Sequence, residues 1–419
     1  MNRLATFIAG AIATAVLLAF AGTSAARDLL VRNATVHTAT AAGTLHNADV
    51  LVRDGRIAAV GNGLSAPGAQ VVEADGRPLT PALFGGITGI GIEEVSGERP
   101  TVDATLALGA GAQPQMVVRP EFDVTLAYNP ASVLLPVARI EGIGFTLLHA
   151  GSASGGSIVG GQGGVLRLDG GIDPIGQRVL FVSLGAGTAD LTGHSRAAQW
   201  MLLDQLIDEA RGRIAPESRH SLLTPAGRAA LAKFLDGKGL VMVEVDRAAD
   251  IVQLLRWSQR QHVRIAIAGG AEAWEVGSAL AAAKVPVFVD PLANLPADFD
   301  RIGATMENAA RLHAAGVAVG FTQAGDASHN ARKVRQLAGN AVANGLPWDD
   351  GLAGLTSVPA QALGVADQVG SIAAGRRADL VLWSGDPLEL SSLPDQVWLD
   401  GKPQPMRSRQ TELRDRYMK

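Results

Sequence analysis

From residue 28 onward the chain alternates apolar and polar positions in short runs. In "LLVRNATVHTAT" and "ADVLVRDGRIAAVG" the alternation is bounded by turn sequences. This predicts two or three antiparallel strands with a hairpin turn at Asp54-Gly55. A matching pattern returns near the other end as "GSIAAGRRADLVLWSGDP" and "VWLDGKP", so one strand module is predicted from both ends of the chain. Between these pieces the period changes. "GFTLLHAG", "RVLFVSLG", "GLVMVEVD", "RIAIAGG", "PVFVDPL" and "VAVGFTQ" are β-like runs, most of them ending in Gly, Asp or another polar residue. Trp200, Leu203, Leu206 and Ile207 recur at helical spacing, as do Ile251, Leu254, Leu255 and Ser258. "NAARLHAAG" and "ARKVRQLAGNAVANG" end in glycines that suit a helix C-terminus. "PALFGGITGIG" and a weaker run near "GGVLRLDG" bring the count to eight strands. Strand–helix alternation over about 280 residues predicts a parallel sheet covered by helices and closed into a (β/α)8, TIM-like barrel.

The first residues follow another rule. Arg3 supplies a positive start, residues 4–21 are almost unbroken apolar sequence, and Ser24 and Ala26 are small residues at the −3 and −1 positions of a cleavage site. A secretory signal cut after Ala26, or one residue earlier, is expected, which places the mature chain in the periplasm or outside the cell. The other reading is an uncleaved membrane anchor, because the run approaches spanning length. No second stretch is long and apolar enough to span, so no stable membrane span is expected after cleavage. The predicted organisation is a signal over residues 1–26, a composite β-sandwich module from 27–80 and 365–407, a barrel over 81–364 and a charged tail over 408–419. The tail, "RSRQTELRDRYMK", reads as a short solvated helix.

Composition narrows the chemistry. A chain of 419 residues with 47% hydrophobic content suits one large core with an appended module. The net charge of −4 shows no basic surplus, so nucleic acid is not an expected partner. There is no cysteine, hence no disulfide and no thiol nucleophile.

Three segments carry a family resemblance: "NATVHTA…ADVLVRDGRIAAVG", "EADGRPLTPALFGG" and "SVPAQALGVADQVGSIAAGRRADLVLWSGDPL". They resemble the amidohydrolase superfamily, and in particular its imidazolonepropionase-like branch. The resemblance implies a barrel flanked by a β module, and hydrolysis of carbon–nitrogen bonds with zinc or another divalent ion. Such a site takes His-x-His from the end of the first barrel strand, further histidines from middle strands and an aspartate from the last. Imidazole and carboxylate hold the ion, which lowers the pKa of bound water to about 7 and polarises the scissile carbonyl. Here the first-strand motif reads "TPALFGGITG", placing Ile87 and Gly89 where the two histidines belong. The middle strands offer Glu244 and Asp246, then Gly269, and the last offers Gln323 in place of the aspartate. Isoleucine and glycine have no ligating side-chain atom and an amide is not a general base. Ile87, Gly89, Gly269 and Gln323 are therefore expected to be degenerate ligand positions, with no metal or other cofactor bound.

Other polar residues fall at strand ends, where barrel sites form. They are Glu93 and Glu94, Glu244 and Asp246, Asp290, and Asp326 with His329. Such a cluster suits a hard divalent cation or metal-free acid/base chemistry. Equally, these side chains suit helix caps, pairs with Arg247 or Arg332, or solvent. "HAGSASGGSIVGGQGGVLRLDGG" is glycine-rich but lacks the lysine and hydroxyl of a phosphate loop. It resembles a segment of the same hydrolase branch, which implies His149 and Gln162 at the pocket mouth; a lone histidine ending a strand also serves as a structural hydrogen-bonding group. Three readings follow. The first is an exported binder of a small molecule or peptide with little or no catalysis. The second is a carbon–nitrogen hydrolase using carboxylates. The third is a scaffold subunit beside an intact paralogue, and self-association stays open in all three.

Overall fold

The computed structural model describes residues 28–109, 117–325 and 327–418; the expected signal, residues 1–26, and Asp326 lie outside them. The alternation of the first part folds into β1 (Leu29–His37), β2 (Thr44–Arg53), β3 (Arg56–Gly61), β4 (Gln70–Glu73) and β5 (Pro78–Pro81). The hairpin between β2 and β3 turns where expected, with Asp54 and Gly55 at φ 48° and 75°. The C-terminal runs form β14 (Leu380–Trp383), β15 (Pro394–Leu399) and β16 (Lys402–Pro403). These eight strands form one hydrogen-bonded sheet, joined where β14 pairs antiparallel with β5. Leu29, Val31, Val50, Leu79, Leu380 and Trp398 form its own core.

The middle of the chain supplies β6 (Leu83–Thr88), β7 (Ile143–Leu148), β8 (Val159–Arg167), β9 (Ile175–Ser183), β10 (Leu240–Val245), β11 (Arg264–Gly269), β12 (Val287–Val289) and β13 (Val319–Phe321). They lie side by side in chain order as a nearly closed barrel sheet. All eight predicted runs are strands, but one departs from the expected direction. β8 runs antiparallel to both β7 and β9, so these three form a meander without crossover helices. The "GGVLRLDG" run also begins earlier than the sequence pattern suggests, at Val159. Four glycines there remove the alternation by which a strand is read, and packing requires them. A Cβ on Gly163 would stand 1.8 Å from the Leu148 carbonyl oxygen, and one on Gly160 2.1 Å from that of Ala150.

The two ends of the barrel sheet meet at a seam between β6 and β13. It is held by side chains and neighbouring backbone: the Ile87 N–H donates to Thr322 Oγ1 at 3.0 Å, and the Phe84 N–H donates to the Leu355 carbonyl at 2.7 Å. Around the sheet lie α1 (Leu134–Arg139), α2 (Arg196–Ala210), α3 (Pro225–Ala232), α4 (Ala248–Gln261), α5 (Gly277–Ala282), α6 (Asn308–Ala314), α7 (Ala327–Asn330), α8 (Val334–Ala343), α9 (Trp348–Ala353) and α10 (Ser357–Ala362). The predicted helical stripes are the buried faces: Leu203, Leu206 and Ile207 on α2, and Ile251, Leu254 and Leu255 on α4. Ser195 caps α2 through the Ala198 N–H, and Thr224 with Pro225 starts α3. A last helix, α11 (Arg409–Tyr417), buries no residue and opens on a Ser408–Thr411 capping box. No helix among the described residues is long and apolar enough to cross a membrane.

An ionic cluster joins barrel to sheet. Because β8 is reversed, its last residue, Arg167, sits at the end of the barrel opposite the C-terminal ends of the other strands. Only 5% exposed, it pairs with Asp379 at 2.8 Å and Asp400 at 3.0 Å, and also with Asp169. Trp383 adds a buried bond from Nε1 to Thr80 Oγ1 at 2.8 Å.

Candidate active site

The C-terminal ends of the parallel barrel strands surround a cavity of about 860 Å³. This is the end at which barrel sites form, since loops there vary without disturbing the sheet. The β7–β8 connection, "HAGSASGGSI", lies at the same end because β8 starts there.

The best-connected polar group is centred on Glu244, near the end of β10. His149, just past β7, brings Nε2 to 2.9 Å from Glu244 Oε1, and Ser183, the last residue of β9, donates from Oγ to Glu244 Oε2 at 2.6 Å. The imidazole also stands edge-on to the Phe181 ring, 4.9 Å between centroids. The ring N–H is not aligned on the carboxylate oxygen, so the contact is an ion pair more than a linear hydrogen bond. Burial disfavours both charges, but the partner's charge outweighs it in each case. His149 is held above the usual imidazole range by Glu244 and, less strongly, Glu93; Glu244 is held well below the usual carboxylate range by His149 and Ser183. Both side chains face the cavity, 28% and 39% exposed, so solvent there moderates the coupling. The connectivity limits the chemistry. Glu244 lies between serine and histidine, so the imidazole does not touch Ser183 Oγ as a base and the three are not wired as a nucleophile triad.

The remaining carboxylates are individually occupied. Glu93, after β6, accepts from Ser328 Oγ at 2.7 Å, and that oxygen accepts from the Gly89 N–H at 2.9 Å. Asp246 accepts from the Ala271 N–H at 3.1 Å and from Arg301 Nε at 2.8 Å; burial still raises its pKa above the usual carboxylate value. Asp290, after β12, takes the N–H groups of Leu292 at 2.9 Å and Ala324 at 2.8 Å. Gln323, after β13, leaves its buried Oε1 without a hydrogen-bond partner.

The cavity thus gathers Glu93, His149, Glu244, Asp246, Asp290 and Gln323. Other candidates lie elsewhere. Glu94 faces Asn129 Nδ2 at 3.4 Å on an exposed surface, and His329 is not part of the lining. Gln162 is a correction: it is buried within β8, its Nε2 donating to the Pro120 carbonyl at 2.7 Å, because the glycine segment that reads as a mouth loop is strand at that point. Sequence reasoning missed Ser183, Ser328 and Arg301. Ser183 carries the signal used for the others, a polar residue closing an apolar run. Ser328 and Arg301 lie beyond long or irregular connections with no periodicity to place them.

The four positions that the resemblance assigns to metal ligands also converge. Ile87, Gly89, Gly269 and Gln323 all line this cavity. Between them they present one amide, and no group of three or more His, Asp or Glu among the described residues is arranged to hold a metal ion. The donor set at these positions does not fit a zinc-type hydrolytic centre, which takes three or four nitrogen, sulfur or carboxylate ligands.

A barrel with its site at the strand ends, flanked by a sheet drawn from both chain ends, is the architecture of a hydrolase barrel of the amidohydrolase type. A family model described as "Amidohydrolase family" matches residues 262–405. Over 75 residues the chain is 43% identical to the amidohydrolase tasK of Hapsidospora irregularis, a stretch covering 18% of this chain and 8% of that protein. An amidohydrolase from Thermotoga maritima superposes with a TM-score of 0.77 at 26% identity, covering 90% of this chain and all of the other. A zinc-bound adenosine deaminase from Xanthomonas campestris shares the fold, with TM-score 0.51, 18% identity and coverage of 90% and 92%. The chain is thus similar to the amidohydrolase superfamily, in sequence over residues 262–405 and in fold over 90% of its length.

Proposed function

We propose that this is an exported member of the superfamily that binds a small molecule or peptide in the barrel cavity and turns it over weakly or not at all. The observation that carries the reading is the convergence of Ile87, Gly89, Gly269 and Gln323 on one cavity with a single amide among them. The cavity's volume, about 860 Å³, lies in the range of small-molecule sites, roughly 300–1,000 Å³. Its carboxylates are engaged by His149, Arg301, Ser328 and backbone N–H groups rather than turned together on one point. Export rests on the charged start, apolar run and small-residue site of residues 1–26.

The test is turnover of amides, cyclic amides and dipeptides by the purified protein, with and without added zinc or manganese. The reading expects no release above the uncatalysed rate; metal-dependent hydrolysis by the parent protein contradicts it. N-terminal sequencing should find Arg27 or Ala26 first, whereas Met1 retained in the membrane fraction contradicts export. A carboxylate-based hydrolase is the second reading, favoured by the charged His149–Glu244 pair inside the cavity. It requires metal-independent hydrolysis that Glu244→Gln abolishes.

A further inference from the structure

We infer that the cavity takes an elongated organic cation: an ammonium or guanidinium group seated among the ends of β6, β12 and β13, with an apolar chain lying along the rim above them. This rests on reading the cavity as a ligand site and adds the class of ligand. The first support is an asymmetry of the walls. The two cationic side chains of the lining, His149 and Arg301, are already matched by Glu244 and Asp246 on the β7–β10 side. The opposite wall is continuous across the seam, from β12 through β13 to β6, and it presents Asp290, Gln323 and Glu93. The backbone donors along it are spent: Leu292 and Ala324 on Asp290, Ile87 on Thr322, Gly89 on Ser328. Gln323 Oε1 is buried and unpaired, so with Asp290 and Glu93 it gives this wall negative charge and an open acceptor. An anion placed there meets two carboxylates, whereas an ammonium with three N–H groups meets their oxygens and that of Gln323.

The second support lies directly after β12. The connection to α6 turns its polar residues inward and its apolar ones out. Arg301 is tied to Asp246 at 2.8 Å, Asp300 accepts from the Ala186 N–H at 2.7 Å and pairs with Arg196, and the Gly303 N–H donates to Glu272 at 2.9 Å. On this pinned frame Leu292, Leu295, Phe299, Ile302 and Met306 stand exposed, Phe299 at 87% and Leu295 at 71%. Val95, in the loop after β6, is exposed too and adjoins the lining residue Ser96. Scattered exposed apolar residues are ordinary, but this concentration on the connection that also carries the lining residues Asp298, Asp300 and Arg301 marks a surface that something apolar covers. The acceptor wall beneath it selects the charge of that partner.

The test is calorimetry on the full mature chain with n-octylammonium, n-butylammonium and n-octanoate. Octylammonium should bind about tenfold or more tightly than octanoate, and tighter than butylammonium. Phe299→Ser, at a solvent-exposed position, should erase the preference for octyl over butyl and leave butylammonium unchanged. Glu93→Gln should weaken octylammonium about tenfold; if it fails to fold by circular dichroism, Asp290→Asn takes its place. Octanoate binding as well as octylammonium, or folded protein that binds neither, overturns the inference. Absence of binding with no turnover leaves the proposed function standing, whereas cation binding with metal-dependent hydrolysis overturns that function and leaves the ligand class standing.

Discussion

His149 and Glu244 keep each other charged against burial, and that fixes how stability must respond to pH. The ordinary pKa values are 6.5 for histidine and 4.5 for glutamate; His149 is raised and Glu244 lowered in the folded protein. A raised histidine stabilises fully below its unfolded value and loses that contribution as pH rises through its folded value. A lowered carboxylate stabilises fully above its unfolded value and loses it as pH falls through its folded one. The pair therefore contributes fully between 4.5 and 6.5 and fades on either side. Thermal unfolding of the parent and of Glu244→Gln should differ most inside that window and converge as pH rises well beyond it. A constant difference up to about pH 9 would contradict the ion pair. At this scale the sequence was legible where a residue type can be set against a family pattern. Ile87, Gly89, Gly269 and Gln323 were placed that way, and so was the polar end of β7 at His149. Thr322, Ser328 and Arg301 were not, because what they do depends on which distant backbone or carboxylate they meet.

Direction, more than existence, was the difficulty with the strands. Every barrel strand was legible as an apolar run, yet the reversal of β8 was not drawn from it. The signal was in the connections. Residues 149–158 and 168–174 are the only links between β7 and β8 and between β8 and β9, and parallel neighbours need a crossover of about a dozen or more residues. The reversal has an energetic consequence, because it delivers Arg167 to the carboxylates of the second sheet. Burial opposes the guanidinium charge, but Asp379, Asp400 and Asp169 outweigh it and hold Arg167 above its ordinary range. Arg167→Met leaves Asp379 buried without its partner, and urea unfolding should show a loss of about 3–5 kcal/mol. Adding Asp379→Asn should return part of that loss, since it removes the orphaned charge. A loss under about 1 kcal/mol would mean that the cluster does not hold barrel and sheet together. Gly163→Ala tests the meander itself. Its Cβ would meet the Leu148 carbonyl at 1.8 Å, so a folded variant with unchanged stability contradicts the close β7–β8 approach.

For the whole molecule, the proposal is an amidohydrolase-like barrel that keeps its cavity without the metal ligands that the resemblance implies. The backbone at those ligand positions says how far the departure reaches. Gly89 is not in the left-handed region, and a Cβ there would stand 2.9 Å from Glu93 Oε2 and Ser328 Oγ, side-chain atoms of which the glutamate tip is free to shift. Gly269 is at φ 91°, and its Cβ would stand 2.7 Å from Asp246 Oδ1. Histidine at Gly269 is therefore strained, and a rebuilt centre should use Ile87→His, Gly89→His and Gln323→Asp alone. That variant should bind zinc about tenfold or more tightly than its parent, with little hydrolysis because supporting hydrogen bonds to the new ligands are absent. Equal affinity would mean these residues do not share the site. The most direct measurement is the zinc content of the parent protein, purified without chelator, equilibrated with zinc and then freed of loose metal. Elemental analysis should find less than about 0.1 ion per chain, since a stable site takes three or four ligands that these positions do not supply. One tightly held ion per chain would contradict the account.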